Sequence, residues 1–205
     1  MKRACIIIIY VLASSFTFPD AGGGGYLVHR LIVQKDSRLI INGRTNVSLF
    51  HCQIPNYTGN DTLILQEGGR SKKPVFLKGS VALQTSLFDC GLPLMTYDLK
   101  NTIKEKEHPN IVITFKSFER LPKYNLKEEK FKGVMTISLA GVSKQFEVDC
   151  VIEAKPSGLI NLSGGRQFLF SDFNLEPPKK MMGMIRTQEE INVSFNLVLR
   201  LDSDQ

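Results

Sequence analysis

The sequence predicts an all-β antiparallel fold, a closed barrel of about eight strands with one short helix. Three observations predict it. From residue 26 onward, apolar and polar residues alternate with period two in segment after segment, as in half-buried strands. Only the segment 93–107 carries a helical stripe instead. The alternating stretches 37–52 and 75–90 are some sixteen residues each, well beyond the about five or six of an ordinary strand. Strands that long bend strongly, and closing them into a barrel removes their edges. A sandwich is the other architecture with this pattern.

Taken in order, less regular strands fall at 26–33, 62–67 and 158–171. In 39–49 the apolar phase is Leu39, Ile41 and Val47, against Asn42, Arg44, Asn46 and Ser48. In 75–87 it is Val75, Leu77, Val81, Leu83 and Leu87, against Lys78, Ser80, Gln84 and Ser86. Met95, Leu99 and Ile103 then recur every four residues, one face of a helix over about 93–107. Pro93 suits its first turn, and His108-Pro109 stops it. Ile111, Ile113 and Phe115 resume the alternation. Met135, Ile137 and Leu139 lead into the turn Ala140-Gly141, and Phe146, Val148, Cys150 and Ile152 lead out, so the two runs form a hairpin. The last strand alternates most cleanly, with Ile191, Val193, Phe195, Leu197, Leu199 and Leu201 on one face. Gly43, Gly79 and Gly133 share the inward phase, where a strand kinks or a ligand approaches.

Length and composition bound the function. The 205 residues suit one domain, and 42% hydrophobic with 22% charged residues excludes a disordered chain. The net charge of +6 is spread thinly, without the basic stripe of a nucleic-acid binder, so no nucleic acid is expected. The surplus favours solubility and a transient attraction to an acidic membrane surface. Lys2-Arg3, the apolar run to Ala13 and the small residues after it read as a secretory signal over residues 1–21. Residues 22–34 form a flexible segment and the first strand, with Gly22–Gly25 as a tether. The main domain spans 35–202. An exported chain belongs in the periplasm or cell envelope, where disulfides persist. Cys52 and Cys90 end the two long stretches, out of phase with the inward residues, and are the expected pair. Cys150 is in phase with Phe146 and Val148 and should stay buried and reduced.

Several motifs go further than alternation. Gly43-Arg44-Thr45-Asn46-Val47 resembles the G-x-S/T-N-V strand of the YceI-like family. The helix Met95–Lys100, followed by Pro109-Asn110-Ile111 and on to Phe115, resembles that family's helix and its P-x-I-x-F strand. Ile137–Phe146 is similar to its L-x-G-V-T-K hairpin. Asp172-Phe173 through Pro177-Pro178 and Gly183 to Arg186-Thr187 is similar to its D-F-x-I-x-P-P…G…K-T segment. The four fall in family order over roughly 35–202. The resemblance implies an exported lipocalin-like barrel that holds a long isoprenoid or similar lipid chain. Thr96 and Tyr97 depart from the Asn and the Lys or Arg that many relatives carry, so a headgroup contact there does not transfer.

The inward phase of the strands names the candidate lining: Leu39, Ile41, Val81, Leu83, Ile113, Phe115, Met135, Ile137, Phe146, Val148, Val193 and Phe195. Almost no charge interrupts it, so any ligand inside should be apolar. A dry, packed interior in a module acting through its surface fits the same pattern. Met181-Met182-Gly183-Met184 suits either a rim that adapts to apolar ligands or packing on a neighbouring loop. No enzyme is expected and no cofactor is implied. His29, His51 and His108 form no metal-protease helix, and His51 and Cys52, as strand neighbours, point to opposite faces. Gly68–Lys73 reads as a hairpin tip rather than a phosphate loop. No protein partner is specified.

Overall fold

The computed structural model describes residues 26–68, 73–122 and 128–202. The signal segment, the glycine tether and residues 69–72 of the hairpin tip lie outside them. The strands are β1 (Tyr26–Val33), β2 (Arg38–Thr45), β3 (Leu49–Ile54), β4 (Thr62–Gly68), β5 (Val75–Lys78) and β6 (Ser80–Gln84). After helix α1 (Pro93–Thr102) come β7 (Asn110–Phe118), β8 (Glu129–Leu139), β9 (Val142–Ala154), β10 (Leu159–Leu169), β11 (Lys179–Lys180) and β12 (Ile185–Leu201). All pairings are antiparallel.

Eight of these strands close a ring in the order β1-β4-β5-β7-β8-β9-β10-β12, with β12 returning to β1. This is the antiparallel all-β ring that the alternation predicts, in the lipocalin-like form that the resemblance implies. The 17-residue β12 makes closure possible. One of its edges pairs with β10 from Glu190 to Arg200. Its other edge is divided. Thr187 to Asn196 pair with β2, and Leu199 to Leu201 pair with β1. The β2–β3 hairpin thus extends the wall at one end of the ring, beyond the reach of β1.

Both long stretches are broken, which corrects two strand assignments. Residues 37–52 are a hairpin. Thr45 Oγ1 accepts hydrogen bonds from the backbone N–H groups of Val47 (3.2 Å) and Ser48 (2.9 Å), turning the chain between β2 and β3. The turn reverses the phase, so inward residues are odd in β2 (Leu39, Ile41) and even in β3 (Cys52, Ile54). Residues 75–90 bend at Gly79 into β5 and β6, followed by a single 3₁₀ turn at Thr85–Leu87. A Cβ on Gly79 would collide with the Phe115 carbonyl oxygen, and the Phe115 N–H donates to the Gly79 carbonyl at 2.8 Å. Gly43 and Gly133 likewise make room for side chains of the protein, the Phe50 ring and Cys150 Sγ. The helix is shorter than 93–107. It ends at Thr102, because Lys104 turns left-handed (φ 55°) and its carbonyl accepts from His108 N–H at 2.8 Å. Among the described residues, no helix is long and apolar enough to cross a membrane.

The hairpin of β8 and β9 is as predicted. Ala140 (φ 50°) and Gly141 (φ 83°) form its two-residue turn, both with the positive φ that the strand twist favours. The interior half remote from this turn is filled by rings. Phe118 meets Phe76 edge-on at 4.8 Å and Phe131 at 4.7 Å, and Phe115 meets Phe195 at 5.8 Å. The Phe195 ring lies over Gly164, where a Cβ would displace it.

Cys150 is 1% exposed, and its thiol donates to the Val148 carbonyl at 3.6 Å. Burial, with the nearby Asp149 charge second, pushes its pKa up from 9.0 to about 12. The native fold therefore holds the proton more tightly than the unfolded chain. We expect the stability difference between wild type and Cys150→Ala to be flat below pH 9.0. It should shrink as pH rises from there toward about 12, where the unfolded thiolate gains. Urea titrations across that range check this, and neutral thiol reagents should leave native Cys150 unlabelled.

Candidate ligand-binding cavity

The other half of the interior is open. A cavity of about 310 Å3 lies between the upper strands and α1. Pockets for small ligands run from ~300 to 1,000 Å3, so this one is at the small end. Its wall is built from inward faces that converge at the β2–β3 end. Leu39 and Ile41 come from β2, Ile113 from β7, Ile137 from β8, and Ile191 and Val193 from β12. The α1 stripe of Met95, Leu99 and Ile103 closes one side, with Leu99 and Ile103 buried. Opposite it, the 3₁₀ turn Phe170–Phe173 directs Phe170 and Phe173 inward. Asp172 holds that turn, accepting from Leu169 N–H at 3.0 Å, while Lys144 lies 3.3 Å away. The backbone bond, more than the lysine, keeps its carboxyl below the usual range.

Of the twelve candidate lining residues, the structure brings five to the wall: Leu39, Ile41, Ile113, Ile137 and Val193. The other seven lie elsewhere. Phe115, Met135 and Phe195 sit one step further along β7, β8 and β12 on the same faces, where their bulk forms the floor. Val148 lies deeper on β9, opposite Gly133. Val81 and Leu83 pair with Ile113 and Ile111 across β6 and β7 and are buried in packed core. Phe146 packs edge-on against Phe168 at 4.9 Å and carries Arg166 over its ring at 5.1 Å. Inward phase identified the face of the strands that carry these twelve residues, but not the depth at which packing stops; on β5 it failed, since Leu77 is exposed and Phe76 packs on the core.

Phe50, Phe168, Phe173, Leu175 and Ile191 are wall residues that the sequence reading missed. Ile191 was legible, being in phase with Val193. Phe50 was not, because only the turn before β3 brings it inward. Thr96 and Tyr97 do not line the cavity. Thr96 Oγ1 accepts from Cys90 N–H at 3.0 Å, and Tyr97 is exposed.

Most polar groups of the wall already have partners within the protein. Thr45 holds its turn, Thr102 Oγ1 donates to the Asp98 carbonyl at 2.8 Å, and Asp98 pairs with Lys180. An occupant need therefore supply only apolar surface. Cys52 also touches the cavity and is disulfide-bonded to Cys90, which joins β3 to the segment entering α1. Cys52 faces inward, not out of phase, because of the reversal at the β2–β3 turn. The backbone bridge between Gln53 and Asp89 runs beside it. His51, on the opposite face, bonds Asn42 at 2.8 Å. Among the described residues, no group of three or more His, Cys, Asp or Glu converges as metal ligands would.

The class is therefore an eight-stranded antiparallel ring with an apolar cavity at one end. No protein-family model matches the chain, and no curated protein matches it. Solved structures do. A polyisoprenoid binding domain from Saccharophagus degradans, implicated in plant cell wall breakdown, superposes with a TM-score of 0.61 at 9% identity, over 84% of this chain and 98% of that one. BcnA of Burkholderia cenocepacia gives 0.56 at 11% identity, over 79% and 95%. The YceI protein of Campylobacter jejuni gives 0.49 at 22% identity, over 63% and 74%. The chain has the fold of the first two.

Non-reducing peptide mapping should recover a Cys52–Cys90 crosslink with Cys150 free. Replacing both partners by Ser should lower stability by ~2–4 kcal/mol in urea titrations, since the bond closes a loop over a separation of 38 residues. Three free thiols would contradict the pairing.

Proposed function

We propose that this chain is an exported YceI-like protein that binds the apolar chain of an isoprenoid or similar lipid in the cavity at the β2–β3 end of its barrel. The observation that carries the reading is the cavity itself. It is apolar, walled by the β2–β3 hairpin, α1 and the ring strands β7, β8, β10 and β12, and most of its few polar groups have partners within the protein. The polyisoprenoid-binding domain that shares the fold supports the same ligand class. Burying each ligand methylene contributes at most ~0.8 kcal/mol before ordering costs, so affinity requires no charged contact. The small volume implies that a long chain is held by one end, with the remainder projecting through the mouth. The floor residues take no direct part beyond setting the depth. A non-enzymatic module acting through its surface is the second reading, favoured by the aromatic packing that fills the other half of the ring.

Mass spectrometry of an organic extract of the native protein separates the two. A stoichiometric apolar compound is expected, and its absence from protein purified without detergent favours the surface module. Ile137→Phe should reduce uptake by filling the cavity, at an overpacking cost of ~1–3 kcal/mol. Unchanged uptake by a folded Ile137→Phe protein would remove Ile137 from the wall.

Export rests on the Lys2-Arg3 head and the apolar run after it. N-terminal sequencing of cell-envelope material should find a start between about residues 14 and 25. An intact Met1 in the cytoplasm is the contrary result.

A further inference from the structure

The mouth of the cavity is ringed by exposed apolar side chains that nothing among the described residues covers. On the β2–β3 turn Val47 is 67% exposed, and at the start of α1 Leu92 is 61% and Leu94 65% exposed. All three also line the cavity, so the apolar interior runs out onto the surface without a polar break. On the third side stands the loop between β11 and β12, with Met181 and Met184 each about three-fifths exposed and Met182 fully so. These pieces are tied into one rim. Asn46 Nδ2 donates to the Met184 carbonyl at 2.8 Å, and Arg186 N–H donates to Asn46 Oδ1 at 2.9 Å. Lys180 pairs with Asp98 and so fastens the methionine loop to α1.

The methionine loop is also held in an unfavourable backbone. Met181 (φ 49°) and Met182 (φ 53°) are both left-handed, ahead of Gly183 (φ 89°). Left-handed geometry suits glycine or asparagine and is costly for a long side chain. Here it raises Met182 into solvent, where it gains no packing from the described residues. The flanking charges are of one sign. From Pro177 to Gln188 the sequence carries Lys179, Lys180 and Arg186 and no carboxylate.

We propose that this rim docks on the surface of an anionic lipid bilayer, inserting Met182 and its apolar neighbours while Lys179 and Arg186 meet the headgroups. Apolar side chains beside cations are what interfacial binding requires. The inference rests on the lipid-binding reading of the cavity and adds how the ligand arrives. A chain passing from bilayer to cavity through this rim never crosses water, which would otherwise oppose its extraction.

The test uses the full chain, methyl-labelled at methionine, with vesicles of phosphatidylcholine alone or mixed equally with phosphatidylglycerol. Co-sedimentation with the mixed vesicles is expected, with weaker binding to the zwitterionic ones. Asparagine tolerates the left-handed backbone, so Met182→Asn should fold normally and bind roughly tenfold more weakly. Lys179→Glu should lose the preference for anionic lipid. A headgroup spin label should broaden the Met182 methyl signal and leave buried Met135 sharp, a readout that the N-terminal apolar segment does not imitate. Unaltered binding by Met182→Asn, no binding by wild type, or equal broadening at both methyls would overturn the proposal. So would self-association that Met182→Asn abolishes in the absence of vesicle binding. Vesicle binding without any lipid in the native extract would leave the docking standing and sink the ligand reading. A lipid-loaded protein that ignores vesicles would do the reverse.

Discussion

Everything in this molecule depends on how β12 divides its free edge. A closed ring satisfies every strand's backbone donors and acceptors without leaving an exposed edge. Here the ring closes through only three residue pairs between β1 and β12, from Leu31↔Leu201 to Val33↔Leu199. The rest of that edge, from Thr187 to Asn196, is taken by β2. The β2–β3 hairpin therefore stands beside the ring as an added wall, and β3 is joined to the segment before α1 by the Gln53–Asp89 bridge and the Cys52–Cys90 bond. Were β1 to run the full length of β12, the hairpin would have no edge to pair with. The added wall, the helix and the mouth would then have no support.

The same division accounts for an interior that is half solid and half open. In the part of the ring where β5 and the lower β7 and β8 pass, the rings of Phe76, Phe115, Phe118, Phe131 and Phe195 pack edge to face. Glycine opposite these rings makes the room, as at Gly164 under Phe195. In the part walled by the hairpin and α1, aliphatic residues such as Ile41, Ile113 and Ile137 share the wall with Phe50, Phe168, Phe170 and Phe173, and together they leave the space between them unfilled. The volume of about 310 Å3 is what remains between them. The cavity and the rings of Phe115, Phe118, Phe131 and Phe195 thus occupy different ends of one barrel.

Most of the fold is legible in residue order because alternation is a local property. Ile111, Ile113 and Phe115 share a face of β7 whatever surrounds them, and the stripe of Met95, Leu99 and Ile103 faces one way on any helix. The β2–β3 turn was not legible. Thr45, Asn46, Val47 and Ser48 continue the alternation of Leu39 and Ile41 by coincidence. Only the Thr45 side chain bonding back to residues 47 and 48 makes the chain reverse there. That single turn hid the inward orientation of Phe50 and Cys52. The bend at Gly79 was hidden for a related reason, since what requires it is the Phe115 backbone, far away in sequence.

By itself the sequence determined the class of fold, the apolar character of the interior, the inward face of most strands, β3 and β5 excepted, and the hairpin at Ala140-Gly141. These follow from side-chain periodicity and backbone preferences, which act between near neighbours. Only the tertiary structure decided how deep the cavity runs, which five of twelve inward residues line it, and that the methionines of the β11–β12 loop share a rim with Val47 and Leu94. Depth depends on whether side chains from opposite walls meet, and a rim depends on segments more than a hundred residues apart, such as Asn46 and Met184, 138 residues apart in the chain. Neither relation is written in the spacing of neighbours.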